Sequence, residues 1–222
     1  TRPRLSIDGN LEDARSEVLK DHETESYARM MMTEEEYEDF EEEFEANVSH
    51  STEKGERFRV NIYVQRASKA LVIRQIKTEV PSIDNLGLPD VLKNLMSNER
   101  GLVLVTGATG AGKSTTVAAM INHRNRNEGG HIITIEDPIE FVHPHINSII
   151  SQREVGIDTK SFHSALKNSL RQAPKVIYIG EIRDTETMGF AIHASETGHL
   201  VLGTLHSTNA NQTLERIINF FP

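Results

Sequence analysis

Eight consecutive residues near the middle of the chain, Gly107–Ser114, restrict its fold more than any other feature. Their sequence is Gly-Ala-Thr-Gly-Ala-Gly-Lys-Ser; an apolar run, Gly101–Thr106, precedes them, and a helical pattern runs from Thr115 to about Asn125. Glycines let several backbone N–H groups converge on one anion, and the N-terminus of a helix adds the positive end of its dipole. The pattern therefore predicts a phosphate-binding loop between a strand and a helix.

Individual residues of this loop have distinct expected roles. Lys113 is predicted to reach the β- and γ-phosphates of a nucleoside triphosphate, and Ser114 is predicted to ligate Mg²⁺. ATP and Mg²⁺ are accordingly the expected cofactors. The residues predicted to bind ATP are Gly107, Ala108, Thr109, Gly110, Ala111, Gly112, Lys113, Ser114 and Thr115.

From residue 90 onward, short apolar runs alternate with helical patterns. This alternation is typical of the α/β class, and nearly continuous apolar strands indicate a buried, mostly parallel sheet. A helix is expected to begin at Ser161 and to end before Pro174. Strands are predicted at Leu102–Thr106, Ile132–Ile135, Val176–Gly180 and Leu200–Leu205.

The first part of the chain has a different composition. Residues 1–54 carry 17 acidic and 6 basic side chains, whereas the rest carries 16 acidic and 18 basic ones. A capping-box pattern begins at Thr33, and Tyr37, Phe40 and Phe44 follow at helical spacing, so the surrounding glutamates are expected to form a solvated helix face. This acidity, together with only 5% aromatic residues, disfavours a nucleic-acid partner.

A change of pattern marks the predicted domain boundary. Alternation over residues 57–64 predicts a half-buried strand, a second strand is expected near residues 70–76, and Asp8-Gly9 is a predicted turn. Helix breakers and polar turn residues then predict a linker. We expect a small α+β domain at residues 1–77, a linker at 78–89 and an α/β domain at 90–222.

Acidic residues follow two of the predicted strands. Asp137 and Glu140 come after the strand that ends at Ile135, and Glu181 comes after the strand that ends at Gly180. Ligands of α/β sheets bind at this end of the strands, and nucleotide hydrolysis needs carboxylates there. Gly180 departs from the generic pattern, in which an aspartate precedes the acid, so a role for Glu181 as a helix cap stays open.

Four histidines are candidate site residues. His199 and His206 bracket the last predicted strand, and a purely structural role for either stays open. His143 and His145 flank a proline, which first suggests metal binding, but a surface loop is the expected interpretation. The chain contains no cysteine, which excludes thiolate sites.

In chain order, four segments resemble the Walker A, Asp box, Walker B and His box motifs of the secretion (GspE-type) ATPase superfamily. These segments are Gly107–Ser114, Ile133–Val142, Gly180–Asp184 and Thr197–His206. Within that superfamily the chain resembles the PilT/PilU family of type IV pilus retraction (twitching motility) ATPases, in which Gly-Glu is usual at positions 180–181. The motifs that carry this resemblance are Ile135–Val142, Gln152–Val155, Gly180–Asp184, Glu196–Leu200 and Thr204–His206.

The resemblance implies a RecA-like P-loop NTPase domain, preceded by a small PAS-like domain. It implies that Glu140 is the general base, that Glu181 is the Walker B acid and helps to bind Mg²⁺, and that His206 senses the γ-phosphate. Asp137 and His199 belong to the same catalytic motifs. Two arginines of the first domain, Arg57 and Arg59, match positions that contact phosphate in the family, with Arg74 as a third candidate; a solvated strand face stays open as the alternative for Arg57 and Arg59.

The resemblance also implies partners and a location. The expected assembly is a homo-hexamer, or a mixed hexamer with a paralogue, acting on a pilus inner-membrane platform protein. The expected location is cytoplasmic, peripheral to the inner membrane at the pilus base, and no transmembrane segment is predicted. Because the chain starts at Thr1 and stops after an apolar run, we expect it to be truncated at both ends.

Two alternatives to a retraction motor stay open. One is an assembly or secretion ATPase of the same superfamily, although such proteins often carry a cysteine zinc motif that this chain lacks. The other is an accessory nucleotide-binding subunit with little turnover of its own. Turnover and nucleotide binding, measured side by side, distinguish the motor from the accessory subunit.

Overall fold

The computed structural model describes residues 2–7, 10–14, 17–53 and 56–221, and it divides into two compact units, Thr1–Ile76 and Lys77–Pro222. Among the described residues, no helix is both long and apolar enough to cross a membrane. The predicted Asp8-Gly9 turn lies outside the described residues.

The described residues of the first unit form two helices and two antiparallel sheets. A two-stranded sheet pairs β1 with β2, and a three-stranded sheet has the order β3-β4-β5. The elements are β1 (Arg4–Ile7), β2 (Asn10–Asp13), α1 (Asp21–Met31), α2 (Glu34–Glu43), β3 (Glu45–Ser51), β4 (Arg57–Gln65) and β5 (Ser68–Ile76).

The predicted capping box of α2 is confirmed. The Thr33 hydroxyl accepts a hydrogen bond from the Glu36 N–H, and the Glu36 carboxylate accepts one from the Thr33 N–H at 2.7 Å. Tyr37 and Phe40 are buried in the core of this unit, but Phe44 lies beyond the helix in a left-handed conformation and is 60% exposed. Helical spacing alone could not show where α2 ends.

The second unit confirms the predicted α/β class. Its five-stranded sheet is entirely parallel, in the order β6-β10-β9-β7-β8. The elements are α3 (Val91–Met96), β6 (Gly101–Thr106), α4 (Lys113–Asn127), β7 (Gly130–Glu136), β8 (Ser148–Glu154), α5 (Phe162–Ser169), β9 (Val176–Ile179), α6 (Thr185–Glu196), β10 (Leu200–Leu205) and α7 (Ala210–Ile218), with a 3₁₀ turn at Leu170–Gln172.

Alternate side chains of the central strands fill two cores, one on each face of the sheet. Val176 and Tyr178 of β9 pack on one face with residues of α3 and α4, and Ile177 and Ile179 pack on the other face with residues of α5 and α6. This burial on both faces explains why the strand sequences are almost uninterrupted apolar runs.

Strand β8 was not predicted from the sequence. Its sequence, Ser-Ile-Ile-Ser-Gln-Arg-Glu, is mostly polar, and the strand lies at the edge of the sheet, paired only with β7. Ile150 is buried, whereas Ile149 is 64% exposed. An edge strand covered on one face cannot be recognised by the apolar continuity of its central neighbours.

The predicted linker, residues 78–89, contains residues that pack within the second unit. Ile83 is buried in one of its cores, and the Asn122 side chain donates hydrogen bonds to the carbonyl oxygens of Val80 and Pro81, each at 3.2 Å. The domain boundaries expected from the sequence stay a prediction.

Candidate functional site

The candidate site lies where the carboxyl ends of β6, β7, β9 and β10 meet. Parallel strands that lie side by side bring the residues that follow them to one edge of the sheet. A cavity of about 170 Å³ opens at this edge. It is lined by Thr109, Gly110, Lys113, Ser114, Glu136, Asp137, Pro138, Glu140, Tyr178, Gly180, Glu181, Thr204 and His206.

The loop between β6 and α4 has the backbone conformation that its glycines were expected to permit. Gly110 and Gly112 have φ of 77° and 87°, in the left-handed region that favours glycine. Lys113 is the first residue of α4, and its Nζ donates to the carbonyl oxygens of Gly107 at 3.0 Å and Ala108 at 2.9 Å. The Lys113 side chain therefore folds back over the loop that is predicted to bind phosphate.

Only part of the predicted ATP-binding set lines the cavity: Thr109, Gly110, Lys113 and Ser114. Gly107, Ala108, Ala111, Gly112 and Thr115 belong to the loop and the first turn of α4 without lining it. Their predicted contribution through backbone N–H groups stays a prediction.

Ser114 connects the loop to the first acidic segment. Its hydroxyl donates a hydrogen bond to Glu140 Oε1 at 3.2 Å, across 26 residues of sequence. Among the described residues, no group of three or more His, Cys, Asp or Glu side chains could hold a metal by itself. The oxygen donors of Ser114 and Glu181 nevertheless fit Mg²⁺, which is usually held by one or two protein ligands together with phosphates and water.

Glu181, directly after β9 and Gly180, accepts a hydrogen bond from Arg183 Nη2 at 2.7 Å. The other end of the guanidinium lies 3.7 Å from Asp137 Oδ2. Burial opposes ionisation of Glu181, but the hydrogen bond and charge of Arg183, with the charges of His206 and Lys113, outweigh it and lower the pKa of the carboxyl. Glu181 is therefore a carboxylate, as a cation ligand must be.

The alternative that Glu181 serves as a helix cap is wrong. Asp184 caps α6, because its Oδ1 accepts a hydrogen bond from the Thr187 N–H at 2.8 Å. Gly180 has a steric explanation: a Cβ there would lie 3.0 Å from the Glu136 Cα and 3.1 Å from the Ile135 carbonyl oxygen. A side chain at this position would therefore require the backbone at the end of β7 or β9 to shift.

His206 follows β10 and lies between the lysine and the acid. Its Nε2 is 3.3 Å from Glu181 Oε1, and its Nδ1 is 3.4 Å from Lys113 Nζ. A movement of Lys113 or of Glu181 would therefore alter a contact of the imidazole.

Glu136 is a site residue that the sequence analysis missed. It is 8% exposed, accepts hydrogen bonds from Thr134 Oγ1 at 2.7 Å and Gln152 Nε2 at 3.2 Å, and lines the cavity. Burial raises the pKa of this carboxyl to about 7. Its position next to Asp137 could have indicated a site residue. Because Glu136 is the last residue of β7, however, the sequence did not show to which face of the sheet its side chain points.

One predicted residue of the second unit, His199, does not line the cavity. His199 precedes β10, at the opposite edge of the sheet from His206, and its Nδ1 lies 3.1 Å from the Ala194 carbonyl oxygen. Arg57, Arg59 and Arg74 belong to the first unit, on β4 and β5.

The expectation of a surface loop at residues 143–145 is wrong for His143. Its side chain is buried, its Nδ1 has no hydrogen-bond partner among the residues that the structure describes, and burial lowers its pKa to about 4. His145 is exposed, and its Nδ1 accepts a hydrogen bond from the Ile150 N–H at 3.1 Å.

Comparisons with known proteins agree with this geometry. The family described as "Type II/IV secretion system protein" matches residues 4–221. The chain is 50% identical over 220 residues to the type IV pilus ATPase PilU of Pseudomonas aeruginosa, covering 99% of this chain and 58% of that protein. It is 42% identical over 220 residues to the type IV pilus retractation ATPase PilT of the same organism, covering 99% and 64%.

Among solved structures, a crystal structure of the pilus retraction motor PilT with bound ADP matches with a TM-score of 0.94 and 45% identity. The match covers 100% of this chain and 65% of that one. The chain thus spans less than two thirds of the length of each of these relatives.

Proposed function

Because the chain belongs to the type II/IV secretion system protein family, we propose that it is the ATP-hydrolysing part of a motor that powers type IV pilus retraction. One observation carries the proposal. Lys113, Ser114, Glu140, Glu181 and His206, from four separate segments of sequence, line a single cavity at the carboxyl edge of a parallel sheet.

In the proposed reaction, the loop Gly107–Ser114 holds the triphosphate of ATP through its N–H groups and the N-terminus of α4. Lys113 exchanges its hydrogen bonds with Gly107 and Ala108 for phosphate oxygens. Ser114 and Glu181 would hold Mg²⁺, and a bound Mg²⁺ would neutralise negative charge on the phosphates.

Glu140 is the proposed general base. It accepts a proton from a water molecule as the water oxygen bonds to the γ-phosphorus and the bond to the ADP oxygen breaks. Its hydrogen bond with Ser114, at 3.2 Å, supports this role because it places the carboxylate beside the phosphate-binding loop. Asp137 contributes through Arg183, whose guanidinium lies between Asp137 and Glu181.

His206 is proposed to report on the γ-phosphate. Lys113 has to move when phosphate binds, and its Nζ lies 3.4 Å from this histidine. The same ring contacts Glu181. A movement of Lys113 caused by the γ-phosphate would therefore shift His206 and alter its contact with Glu181, the Walker B acid.

The three arginines of the first unit form a cationic patch, proposed to contact nucleotide phosphate in this or a neighbouring subunit. Arg59 and Arg74 are direct cross-strand partners, and Arg57 lies two residues from Arg59 on the same face of β4. Among the described residues, no acidic side chain forms an ion pair with any of the three. Like charges opposite one another are unfavourable without an anion, and guanidinium suits phosphate.

At the level of assembly, the proposal includes a hexamer of this protein, or a mixed hexamer with a paralogue. It acts from the cytoplasmic side on an inner-membrane platform protein of the pilus. The names of the relatives support this assignment, since they include a pilus ATPase, a pilus retractation ATPase and a pilus retraction motor.

The test is Lys113→Ala in the full-length protein, with steady-state ATP turnover and ADP affinity as readouts. Loss of the only lysine that lines the cavity among the described residues should lower turnover at least about 100-fold. Lys160→Ala, an exposed lysine on the same unit, is the matched control and should retain turnover. Parental turnover by Lys113→Ala would refute the proposal, whereas tight ADP binding without turnover in the parent would favour the accessory subunit.

A further inference from the structure

The segment that carries Glu140 lies between β7 and β8 and contains no helix or strand of its own. A general base must nevertheless be held to within a fraction of an ångström of its working position. The contacts that hold this segment therefore bear on catalysis, and several of them come from the edge strand β8.

Gln152, on β8, makes two of these contacts and a third hydrogen bond to the end of β7. Its Nε2 donates to the Phe141 carbonyl oxygen at 2.9 Å and to Glu136 Oε1 at 3.2 Å, and its Oε1 accepts from the His143 N–H at 2.8 Å. One amide thus holds the backbone on both sides of Val142 and joins it to the buried carboxyl at the end of β7. Both N–H groups and the carbonyl oxygen of the amide are used.

Glu154, two residues further along β8, adds a contact on the other side of Glu140. Its Oε2 accepts a hydrogen bond from the Ile139 N–H at 3.0 Å, and its side chain is buried. Because residues two apart on a strand share a face, Gln152 and Glu154 together hold the segment at residues 139, 141 and 143. Glu140 lies between these points, and its carboxylate reaches Ser114.

We propose that Gln152 is a positioning residue for ATP hydrolysis, which holds the backbone so that Glu140 faces the phosphate-binding loop. This inference rests on the proposed function. Gln152 does not line the cavity, so it acts through the segment and not on the nucleotide. This role explains why β8 is mostly polar, because its side chains form hydrogen bonds with the backbone of the segment that carries Glu140.

Two substitutions in the full-length protein test the proposal. Gln152→Ala removes all three hydrogen bonds. Gln152→Glu keeps an acceptor for the His143 N–H but places a carboxylate oxygen against Glu136 and the Phe141 carbonyl oxygen. Each should lower kcat about 10- to 100-fold, while KM for ATP and ADP affinity change by less than about threefold, because Lys113 and its loop are untouched. Ser151→Ala is the matched control, since Ser151 contacts His131 instead, and it should retain the parental kcat.

A pH series separates positioning from general damage to the fold. As the pH falls, the introduced carboxyl group of Gln152→Glu becomes protonated and regains one hydrogen-bond donor. The ratio of its kcat to the parental kcat should therefore rise toward low pH, whereas the ratio for Gln152→Ala should stay constant.

Parental kcat in Gln152→Ala, or an equal loss of kcat and ADP affinity, would overturn the positioning role. The Lys113→Ala variant distinguishes failure of the positioning role from failure of the proposed function. An inactive Lys113→Ala beside a fully active Gln152→Ala refutes positioning alone, whereas an active Lys113→Ala refutes the function on which it rests.

Discussion

At the scale of single residues, the environment of each carboxyl determines what it can do. Glu181 lies beside Arg183 and has a lowered pKa, whereas burial raises the pKa of Glu136 to about 7. The two acids lie in the same cavity, yet one is held as a carboxylate and the other gains a proton near neutral pH. Residue type alone could not distinguish them.

Glu136 should make the stability of the protein depend on pH. Its carboxyl has an ordinary value of 4.5 in the unfolded chain and about 7 in the fold, so its contribution is full below pH 4.5 and is lost as the pH rises through 7. Glu136→Gln should remove this dependence. Urea unfolding between about pH 5 and about pH 8 should therefore show a smaller decline for the variant than for the parent.

Glu99→Gln, at an exposed position, is the control and should follow the parental pH dependence. Identical curves for the parent and Glu136→Gln would show that the carboxyl is not protonated in the fold.

At the scale of elements, the end of β9 shows how strand packing determines a residue in the site. The Gly180 N–H donates to the Ile135 carbonyl oxygen at 2.8 Å, so the two strands stay close to the point where Glu181 leaves the sheet. Backbone atoms, and not flexible side chains, would meet a Cβ at this position. The backbone at the ends of β7 and β9 would have to shift to accommodate the added atom.

Gly180→Ala should therefore destabilise the second unit by about 1–3 kcal/mol and lower ATP turnover, because Glu181 moves with the strand. The control is Gly189→Ala, a glycine inside α6 with nothing within 4 Å of the added Cβ. That change should be neutral or stabilising by up to about 1 kcal/mol. Denaturant unfolding of both variants measures the difference, and equal stabilities would contradict the steric explanation.

At the scale of the whole molecule, the first residue of the second unit, Lys77, pairs with the segment that carries Glu140. Lys77 follows the last residue of β5, and its N–H donates to the Glu140 carbonyl oxygen at 3.3 Å. The Val142 N–H in turn donates to the Lys77 carbonyl oxygen at 2.9 Å. This short parallel bridge holds the Glu140 segment on the side away from β8.

Lys77→Pro removes the donor to the Glu140 carbonyl oxygen and should lower kcat about 10-fold. Lys77→Ala keeps the backbone N–H and should retain turnover. Steady-state ATPase assays of both variants, with ADP affinity as a check on the phosphate loop, decide the matter. Equal turnover in the two variants would show that the bridge does not serve Glu140.

Local pattern alone was enough to predict the phosphate loop, the α2 capping box and four strands of the parallel sheet. Each of these depends on neighbours in sequence: glycines that permit one backbone conformation, a Thr33–Glu36 pair one turn apart, and apolar runs buried on both faces. The acids and His206 could be recognised as candidates because parallel strands place their following residues at one edge.

Tertiary structure alone decided which candidates meet. The strand order β6-β10-β9-β7-β8 brings Lys113 within 3.4 Å of His206, 93 residues away, and leaves His199 at the other edge. It also placed the mostly polar strand β8 beside the Glu140 segment and buried Glu136. Sequence periodicity shows which face of a helix or strand is buried, but it does not show which other element packs on that face. The contacts of the site depend on which elements pack together.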